Sequence, residues 1–176
     1  EKAHDFNLKG VDNKFYKLDN CLGKKGTLIM FICNHCPYVK AIIKDLVDDC
    51  RNLKKYLTSG GFLHIDDNYG LDPFIQLEIK KIFPNKEWVE IPFDHEIYHQ
   101  YYNFDSGLPK IHQHDGKPPQ GFGILHQGKL VVFYTYECDL GNGWEDASVH
   151  NDPAELRLQA LKMGANIICY AFSSNF

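Results

Sequence analysis

The sequence lacks any long apolar run, any dense basic cluster, and any repeated or low-complexity segment. Its longest purely apolar stretch, LIMFIC, is far shorter than the ~20 residues that a membrane-spanning helix needs. Lysines occur at most in adjacent pairs, and the formal net charge is −4, whereas nucleic-acid-binding surfaces are basic. We therefore expect neither a nucleic-acid partner nor a membrane partner.

Cysteine is sparse outside one pair. Of the six cysteines, only Cys33 and Cys36 lie close together, and a chain of 176 residues can bury a core without disulfide staples. Cys50 and Cys169 fall at apolar periodic positions, which predicts buried side chains. This usage favours a reducing, cytoplasmic location. The alternative is the periplasm after removal of a signal peptide, because the sequence begins with Glu1 rather than Met.

The hydrophobic pattern predicts a single α/β domain over residues 1–176. The segment HDFNLKGVDNKFYKLDN has the pattern of a short β-hairpin, and TLIMFIC that of a buried central strand. Apolar residues at helical spacing predict a helix from about Cys36 to Leu57, followed by a strand in GFLHIDD. A strand–helix–strand order implies parallel strands joined by a right-handed crossover. The predicted fold is a three-layer αβα sandwich with a mixed, largely parallel central sheet.

The second half of the chain supplies the remaining elements. LDPFIQLEIKKIFP predicts a helix capped by Asp72, EWVEIP a strand, and DHEIYHQYYNF a short helix with Asp94 at its cap. Residues 105–121 form a long loop rich in proline and glycine, and FGILHQGKLVVFYTYE predicts a hairpin that turns at Gln127-Gly128. NDPAELRLQALKMG predicts a helix with Asp152 as its cap. ANIICYAF either continues this helix or forms a last strand.

The two close cysteines follow an apolar run and precede Pro37. A strand ending at Cys33 and a helix beginning near Cys36 would place the first thiol at a helix N-terminus, which favours the thiolate. His35 adds a potential positive charge, and Pro37 suits a first helical turn because its missing N–H needs no partner there. A redox pair is favoured. Half of a metal site and two inert buried thiols are the alternatives, and no second CxxC or CxxH completes a zinc site.

Residues 5–50, through DFNLKGVDNKFYKLDNCLGKKGTLIMFICNHCPYVKAI, resemble the start of a thioredoxin-fold protein of the peroxiredoxin-related type with an NHCPYVK active site. The resemblance implies that Cys33 is the attacking thiol and Cys36 the resolving thiol. Thioredoxins also place a cis-proline before a hairpin that faces the CxxC. By analogy, Pro119 is the expected counterpart.

From residue 51 the resemblance changes. NLKKYLTSGGFLHIDDNYG, LPKIHQHDGKPPQGFG and YECDLGNGWED resemble a bacterial domain family of unknown function whose fold is similar to that of class I glutamine amidotransferases. The amidotransferase nucleophile motif is not recognisable, so the resemblance does not imply that activity. The chain therefore looks like a hybrid of residues 1–50 and 51–176, which is a natural fusion, an engineered chimera or an assembly artefact.

A second group of polar residues is a candidate ligand pocket. His64 and Asp66 share one face at the end of a predicted strand, where α/β folds place ligand sites. The candidate pocket comprises His64, Asp66, Asp67, His112, His114 and Asp115, with Glu137, Asp139, His150 and Asp152 further along the chain. These side chains either line a pocket or bind a metal, or they stabilise loops as hydrogen-bond partners and caps.

HEIYH at residues 95–99 matches the zinc-protease pattern HExxH. The motif falls on the first turn of the predicted helix rather than inside it, so a metalloprotease is disfavoured.

Two functions follow from these observations. The first is a thiol–disulfide oxidoreductase that uses Cys33 and Cys36, needs no cofactor and acts on protein thiols or disulfides. The second is a non-redox ligand-binding or interaction module in which the CxxC has no role. We expect the CxxC, Asp66, Asp67 and the 112–115 loop to share one cleft at the carboxyl edge of the sheet.

Overall fold

A computed structural model of the chain describes residues 7–9, 15–17, 50–67, 70–113 and 116–173. The first strands, β1 (Asn7–Lys9) and β2 (Phe15–Lys17), pair antiparallel, with Leu8 opposite Tyr16. The hairpin expected from the alternating pattern is therefore confirmed. The predicted strand TLIMFIC, and the start of the helix that follows it, lie outside the described residues.

A four-stranded sheet forms the centre of the described part. Its strands are β3 (Leu63–Asp66), β4 (Val89–Glu90), β5 (Gln120–His126) and β6 (Lys129–Tyr136), in the order β3-β6-β5-β4. Only β3 and β6 are parallel, whereas β6–β5 and β5–β4 are antiparallel. The mixed α/β class is confirmed, but the expectation of a largely parallel sheet is wrong for these strands.

The hairpin between β5 and β6 turns where the sequence predicts. Gln127 and Gly128 both have positive φ, 52° and 80°. Two-residue hairpin loops favour this left-handed geometry because it matches the twist of the flanking strands.

Five α-helices and one 3₁₀ turn accompany the described strands: α1 (Cys50–Thr58), α2 (Asp72–Ile82), the 3₁₀ turn (Glu96–Tyr98), α3 (Leu140–Trp144), α4 (Ala147–His150) and α5 (Ala154–Ser173). ANIICYAF is the second half of α5, so it continues the helix rather than forming a strand. None of the described helices combines the length and apolar character needed to cross a membrane.

Three local predictions are wrong. Asp72 is the first residue of α2 and not its cap, since Leu71 holds the N-cap position without a side-chain hydrogen bond. DHEIYHQYYNF contains only the 3₁₀ turn, and His95 rather than Asp94 caps it. Cys169 is exposed on α5 although its neighbours follow an apolar pattern.

Two hydrophobic clusters lie on opposite faces of the sheet, as β6 shows. Val132 and Tyr134 join α1 and α2 in one cluster, and the intervening Phe133 joins α5 and the 3₁₀ turn in the other. Successive strand residues point to opposite faces, so apolar side chains cover both faces of β6. This explains why its sequence, LVVFYTY, is almost continuously apolar rather than alternating.

Candidate functional site at the carboxyl edge of strands β3 and β6

A chain of three polar side chains crosses from β3 to β6 near their carboxyl ends. Asp66 lies opposite Thr135 in the parallel register, and the Thr135 hydroxyl donates to Asp66 Oδ1 at 2.6 Å. His64 Nε2 lies 3.0 Å from the same Thr135 oxygen. A hydroxyl carries one proton, so if Thr135 gives it to Asp66, the His64 Nε2–H is the donor to Thr135. His64, Thr135 and Asp66 therefore form a continuous hydrogen-bonded chain.

Burial shifts the pKa values of the two ends of this chain in opposite directions. The pKa of Asp66 is raised to about 7, mainly by desolvation and to a smaller extent by the nearby Asp139 charge, although hydrogen bonds from Thr135 and the backbone of residues 140 and 141 lower it. Desolvation lowers the pKa of His64 to about 3. The His64 ring lies 5.9 Å from both the Phe133 and the Trp144 ring centroids, which accounts for its poor solvation. Near neutral pH His64 is therefore uncharged, and Asp66 keeps its proton to a higher pH than an ordinary aspartate does.

Asp66 also holds the start of α3. The Gly141 N–H donates to Asp66 Oδ2 at 2.9 Å, and Asp139, at the N-cap position of α3, makes no capping hydrogen bond with its own side chain. An N–H group at the start of a helix has no partner inside the helix, so a side chain from another element takes that role. Asp66 thereby joins β3, β6 and α3.

Asp67 has a structural role. It is 1% exposed, its Oδ2 accepts from the Tyr134 hydroxyl at 2.9 Å, and its Oδ1 accepts from the Leu71 N–H at 3.1 Å. Burial, and then the Asp67 charge, raise the pKa of Tyr134. These bonds anchor Leu71, directly before α2, to the end of β3, and they leave the partly exposed Asp66 as the more accessible of the two carboxyl groups.

The segment that follows β6 contains two residues with left-handed backbone conformation. Glu137 and Asp139 have φ values of 57° and 55°, which is uncommon for residues with a side chain. Glu137 is buried and paired with Lys110 at 3.1 Å, and Asp139 accepts from Asn142 at 2.8 Å. Backbone strain of this kind persists only where surrounding contacts enforce it.

Cys138, between these two residues, is fully buried, and its thiol donates to the Tyr136 carbonyl at 3.3 Å. Burial, followed by the Asp66 charge, raises its pKa well above the ordinary value. This environment disfavours the thiolate, so Cys138 has a packing role rather than that of a nucleophile.

The structure brings together two of the six predicted pocket residues, His64 and Asp66, through Thr135, whereas the Asp67 side chain bonds to Tyr134 and Leu71. His112 Nδ1 lies 3.5 Å from Asp152 Oδ1, just before α5. Among the residues with a described structure, no group of three or more His, Cys, Asp and Glu side chains is arranged to hold a metal ion. His114 and Asp115 lie outside the described residues.

The predicted redox residues, Cys33, His35, Cys36 and Pro37, also lie outside the described residues. The expected cleft between them and Asp66 therefore stays a prediction. No peptide bond is cis in the part of the chain that the structure describes, so the expectation of a cis bond at Pro119 is wrong.

The HExxH pattern does not form the helical geometry of a zinc protease. His95 Nδ1 accepts from the Ile97 N–H at 3.2 Å, and His99 Nε2 lies 2.7 Å from the Phe93 carbonyl oxygen. Both histidines hold a loop around the 3₁₀ turn, and Glu96 is exposed.

Sequence reasoning missed Thr135, which links His64 to Asp66, and Lys110, which pairs with the buried Glu137. The available signal for Thr135 was a hydroxyl in the otherwise apolar strand LVVFYTY, close to its carboxyl end. Lys110 gave no signal, because a single lysine on a long polar loop predicts a solvated side chain.

Comparison with known protein families matches residues 24–172 to DUF4159, described as a domain of unknown function. The match includes the CxxC segment as well as the residues after 51, and neither a thioredoxin family nor an amidotransferase family was found, so the hybrid interpretation is not confirmed. A search of curated proteins found no match. Because the family match covers well over half of the chain, the protein belongs to the DUF4159 family of domains of unknown function.

Proposed function

We propose that this protein is a ligand-binding domain whose site is centred on Asp66 at the carboxyl edge of β3 and β6. The observation that carries the proposal is the His64–Thr135–Asp66 hydrogen-bonded chain, with a partly exposed carboxyl group whose pKa is raised to about 7. A strongly shifted pKa at a sheet edge marks a candidate functional group.

The local charges favour a neutral or cationic polar ligand. Four carboxyl groups lie at this edge, those of Asp66, Asp67, Glu137 and Asp139, and Lys110 is the cation paired with Glu137. Because its pKa is raised to about 7, Asp66 can donate a hydrogen bond to a neutral ligand when it is protonated, or release its proton and pair with a cation. Binding of a cation should therefore release a proton near neutral pH.

Ligand-observed NMR with a library of small alcohols, amides and amines tests this proposal. We expect hits on the unmodified protein that are lost in Asp66→Asn and retained in Cys33→Ser. Asp94→Asn is the matched control, because it also removes one carboxylate but lies on an exposed loop. Binding that survives Asp66→Asn, or that is lost equally in Asp94→Asn, would refute the proposal.

A second candidate function is thiol–disulfide exchange by Cys33 and Cys36. It rests on the sequence: an apolar run, then CxxC, then proline, then an amphipathic segment whose last part, α1, is helical. The Cys33 thiolate would attack a substrate disulfide and release one substrate thiolate. The Cys36 thiolate would then attack the Cys33 sulfur, release the second substrate thiolate and leave a Cys33–Cys36 disulfide. Two electrons pass to the substrate, and no cofactor is needed.

The redox proposal is tested by alkylation kinetics and insulin reduction. We expect Cys33 to react faster than Cys169 at mildly acidic pH, and Cys33→Ser to abolish reduction. Cys169 is the internal reference because it is an exposed free thiol that is not activated: partial desolvation of its sulfur raises its pKa. Equal reactivity of the two thiols would exclude the redox role.

We also propose a partner, a location and a layer arrangement for this protein. Protein thiols or disulfides are the partners of the redox activity, and the cytoplasm is its location. A three-layer sandwich is favoured by the apolar clusters on both faces of β6. One uninterrupted reading frame across residues 45–60 in a natural genome would show a natural chain, which includes a natural fusion, whereas its absence would indicate an engineered chimera or an assembly artefact.

A further inference from the structure

A cavity lies near the end of the sheet opposite to Asp66. His126, one of its lining residues, pairs with Lys129 at the hairpin end of β5, whereas Asp66 lies opposite Thr135 towards the other end of β6. The cavity has a volume of about 210 Å³ and lies between the end of α1, the segment after α2, and β5. It is therefore separate from the proposed Asp66 site.

Basic side chains from three elements line this cavity. They are Lys54 from α1, Lys86 from the segment after α2, and His126 from β5. No acidic residue of the described chain is among the lining residues, although the protein as a whole carries a formal net charge of −4. Glu87, the nearest acid in sequence, pairs with Lys80. The local charge is thus opposite in sign to that of the whole molecule, which favours an anion here.

The lysines are held around an apolar floor. The Lys86 ammonium donates to the Leu125 carbonyl, and Lys54 Nζ lies 6.0 Å from the centroid of the Phe83 ring. Phe83 is buried, and Pro84 beside it also lines the cavity. An ammonium group has three donors, so Lys86 keeps two for a ligand after it binds the Leu125 carbonyl.

Thr58 and Asn85 add a hydroxyl and an amide to the lining. Two lysines with neutral donors suit a phosphoryl group, because lysine binds phosphate as a point charge and several donors can share its oxygens. The apolar floor suits a carbon substituent on that phosphate. From this combination we propose that the cavity binds a small organic phosphate monoester, with its phosphoryl group between Lys54 and Lys86 and its organic part against Phe83 and Pro84.

The test titrates the protein with phenyl phosphate or with inorganic phosphate, and sodium chloride keeps the ionic strength constant. Binding is followed by NMR of the backbone amides of residues 54–58 and 83–86. We expect saturable binding of both probes, with phenyl phosphate binding several-fold more tightly because its ring contacts the apolar floor. Lys54→Gln and Lys86→Gln should each weaken phenyl phosphate binding by about threefold to fivefold, as for partly exposed charge pairs.

Lys55→Gln is the matched control, because Lys55 also lies on α1 and is exposed but does not line the cavity. Asp66→Asn should leave phosphate binding unchanged, which separates this inference from the proposed Asp66 site. Lys54→Gln keeps the test informative if Lys86→Gln disturbs the Leu125 contact. The proposal is overturned if neither probe saturates, if Lys55→Gln weakens binding as much as Lys54→Gln, or if inorganic phosphate binds as tightly as the ester.

Discussion

At the scale of single residues, the two ends of the hydrogen-bonded chain, His64 and Asp66, make the stability of the protein depend on pH in opposite directions. The pKa of Asp66 is raised from 3.8 to about 7, so between these values the folded state binds more protons than the unfolded state. The Asp66 contribution to the free energy of unfolding therefore falls as pH rises through this window. The pKa of His64 is lowered from 6.5 to about 3, so its contribution falls as pH decreases below 6.5.

Substitution should separate the two contributions. Relative to Asp66→Asn, the unmodified protein should lose on the order of 3 kcal/mol of stability as pH rises from about 4 to about 8, with a plateau above that. Relative to His64→Gln, it should lose stability as pH falls from about 6.5. Urea unfolding at a series of pH values measures both differences. Parallel stability curves for Asp66→Asn and the unmodified protein would show that the Asp66 pKa is not raised.

Lys110 and Glu137 form a buried ion pair whose side chains are 7% and 2% exposed. Lys110→Met should destabilise the protein by about 3–5 kcal/mol, because it leaves the Glu137 carboxylate buried without a cation. The double variant Lys110→Met/Glu137→Gln should be more stable than the sum of the two single changes implies. Chemical denaturation of all four proteins gives the coupling energy. A loss of unfolding free energy below about 1 kcal/mol in Lys110→Met would mean that the Glu137 carboxylate becomes hydrated or protonated in this variant.

At the scale of elements, α3 is held in place by contacts with its neighbours. It is five residues long, too short to be stable alone, and it contains two glycines, Gly141 and Gly143. Asp66 accepts from the Gly141 N–H, and Gly143 lies so close to α5 that a Cβ there would overlap the Ala160 Cβ. The absence of a side chain at Gly143 thus allows α3 and α5 to approach.

Gly143→Ala should therefore destabilise the protein by about 1–3 kcal/mol through overpacking against α5. Gly141→Ala is the matched control on the same helix, because its Cβ would meet only Asp66 Oδ2 at 3.5 Å, an ordinary contact. Thermal unfolding compares the two variants, and Trp144 fluorescence reports on α3 directly. Equal losses of thermal stability in both variants would indicate that α3 needs glycine for its backbone conformation rather than for close packing against α5.

At the scale of the whole molecule, β6 connects the two hydrophobic clusters. It pairs with β3 on one side and β5 on the other, and its residues from Leu130 to Thr135 are buried. β4 lies at the edge of the described sheet, and both of its residues are exposed.

Hydrogen exchange should follow this arrangement. The amides of Val132, Phe133 and Tyr134 should exchange most slowly among the described residues, because opening them requires disruption of both clusters. Those of Val89 and Glu90 should exchange at least tenfold faster through local opening. Exchange measured by NMR or mass spectrometry would contradict this arrangement if β4 were as protected as β6.

Much of the described secondary structure was predictable because its signals are local. Alternating and continuous apolar patterns identified β3, β5 and β6, Gln127-Gly128 identified the hairpin turn, and helical spacing identified α2 and α5. The errors lie where tertiary contacts override local preference. Asp72 is of a residue type that is favoured at N-caps, but Leu71 occupies the N-cap position of α2. The Leu71 N–H donates to the Asp67 side chain at the end of β3, which is a tertiary contact.

The sequence by itself determined the α/β class, most strand and helix positions, and the placement of His64 and Asp66 on one face of β3, because side chains two residues apart on a strand point the same way. Only the tertiary structure decided what these residues do. Thr135 lies 69 residues after Asp66 along the chain, and Asn166 binds the backbone of Tyr101 and Tyr102 from α5. No local pattern reveals such partners, because the sheet register and helix packing that bring them together arise from burial of both faces of β6. The pKa shifts of Asp66 and His64 follow from the same burial and are therefore properties of the fold.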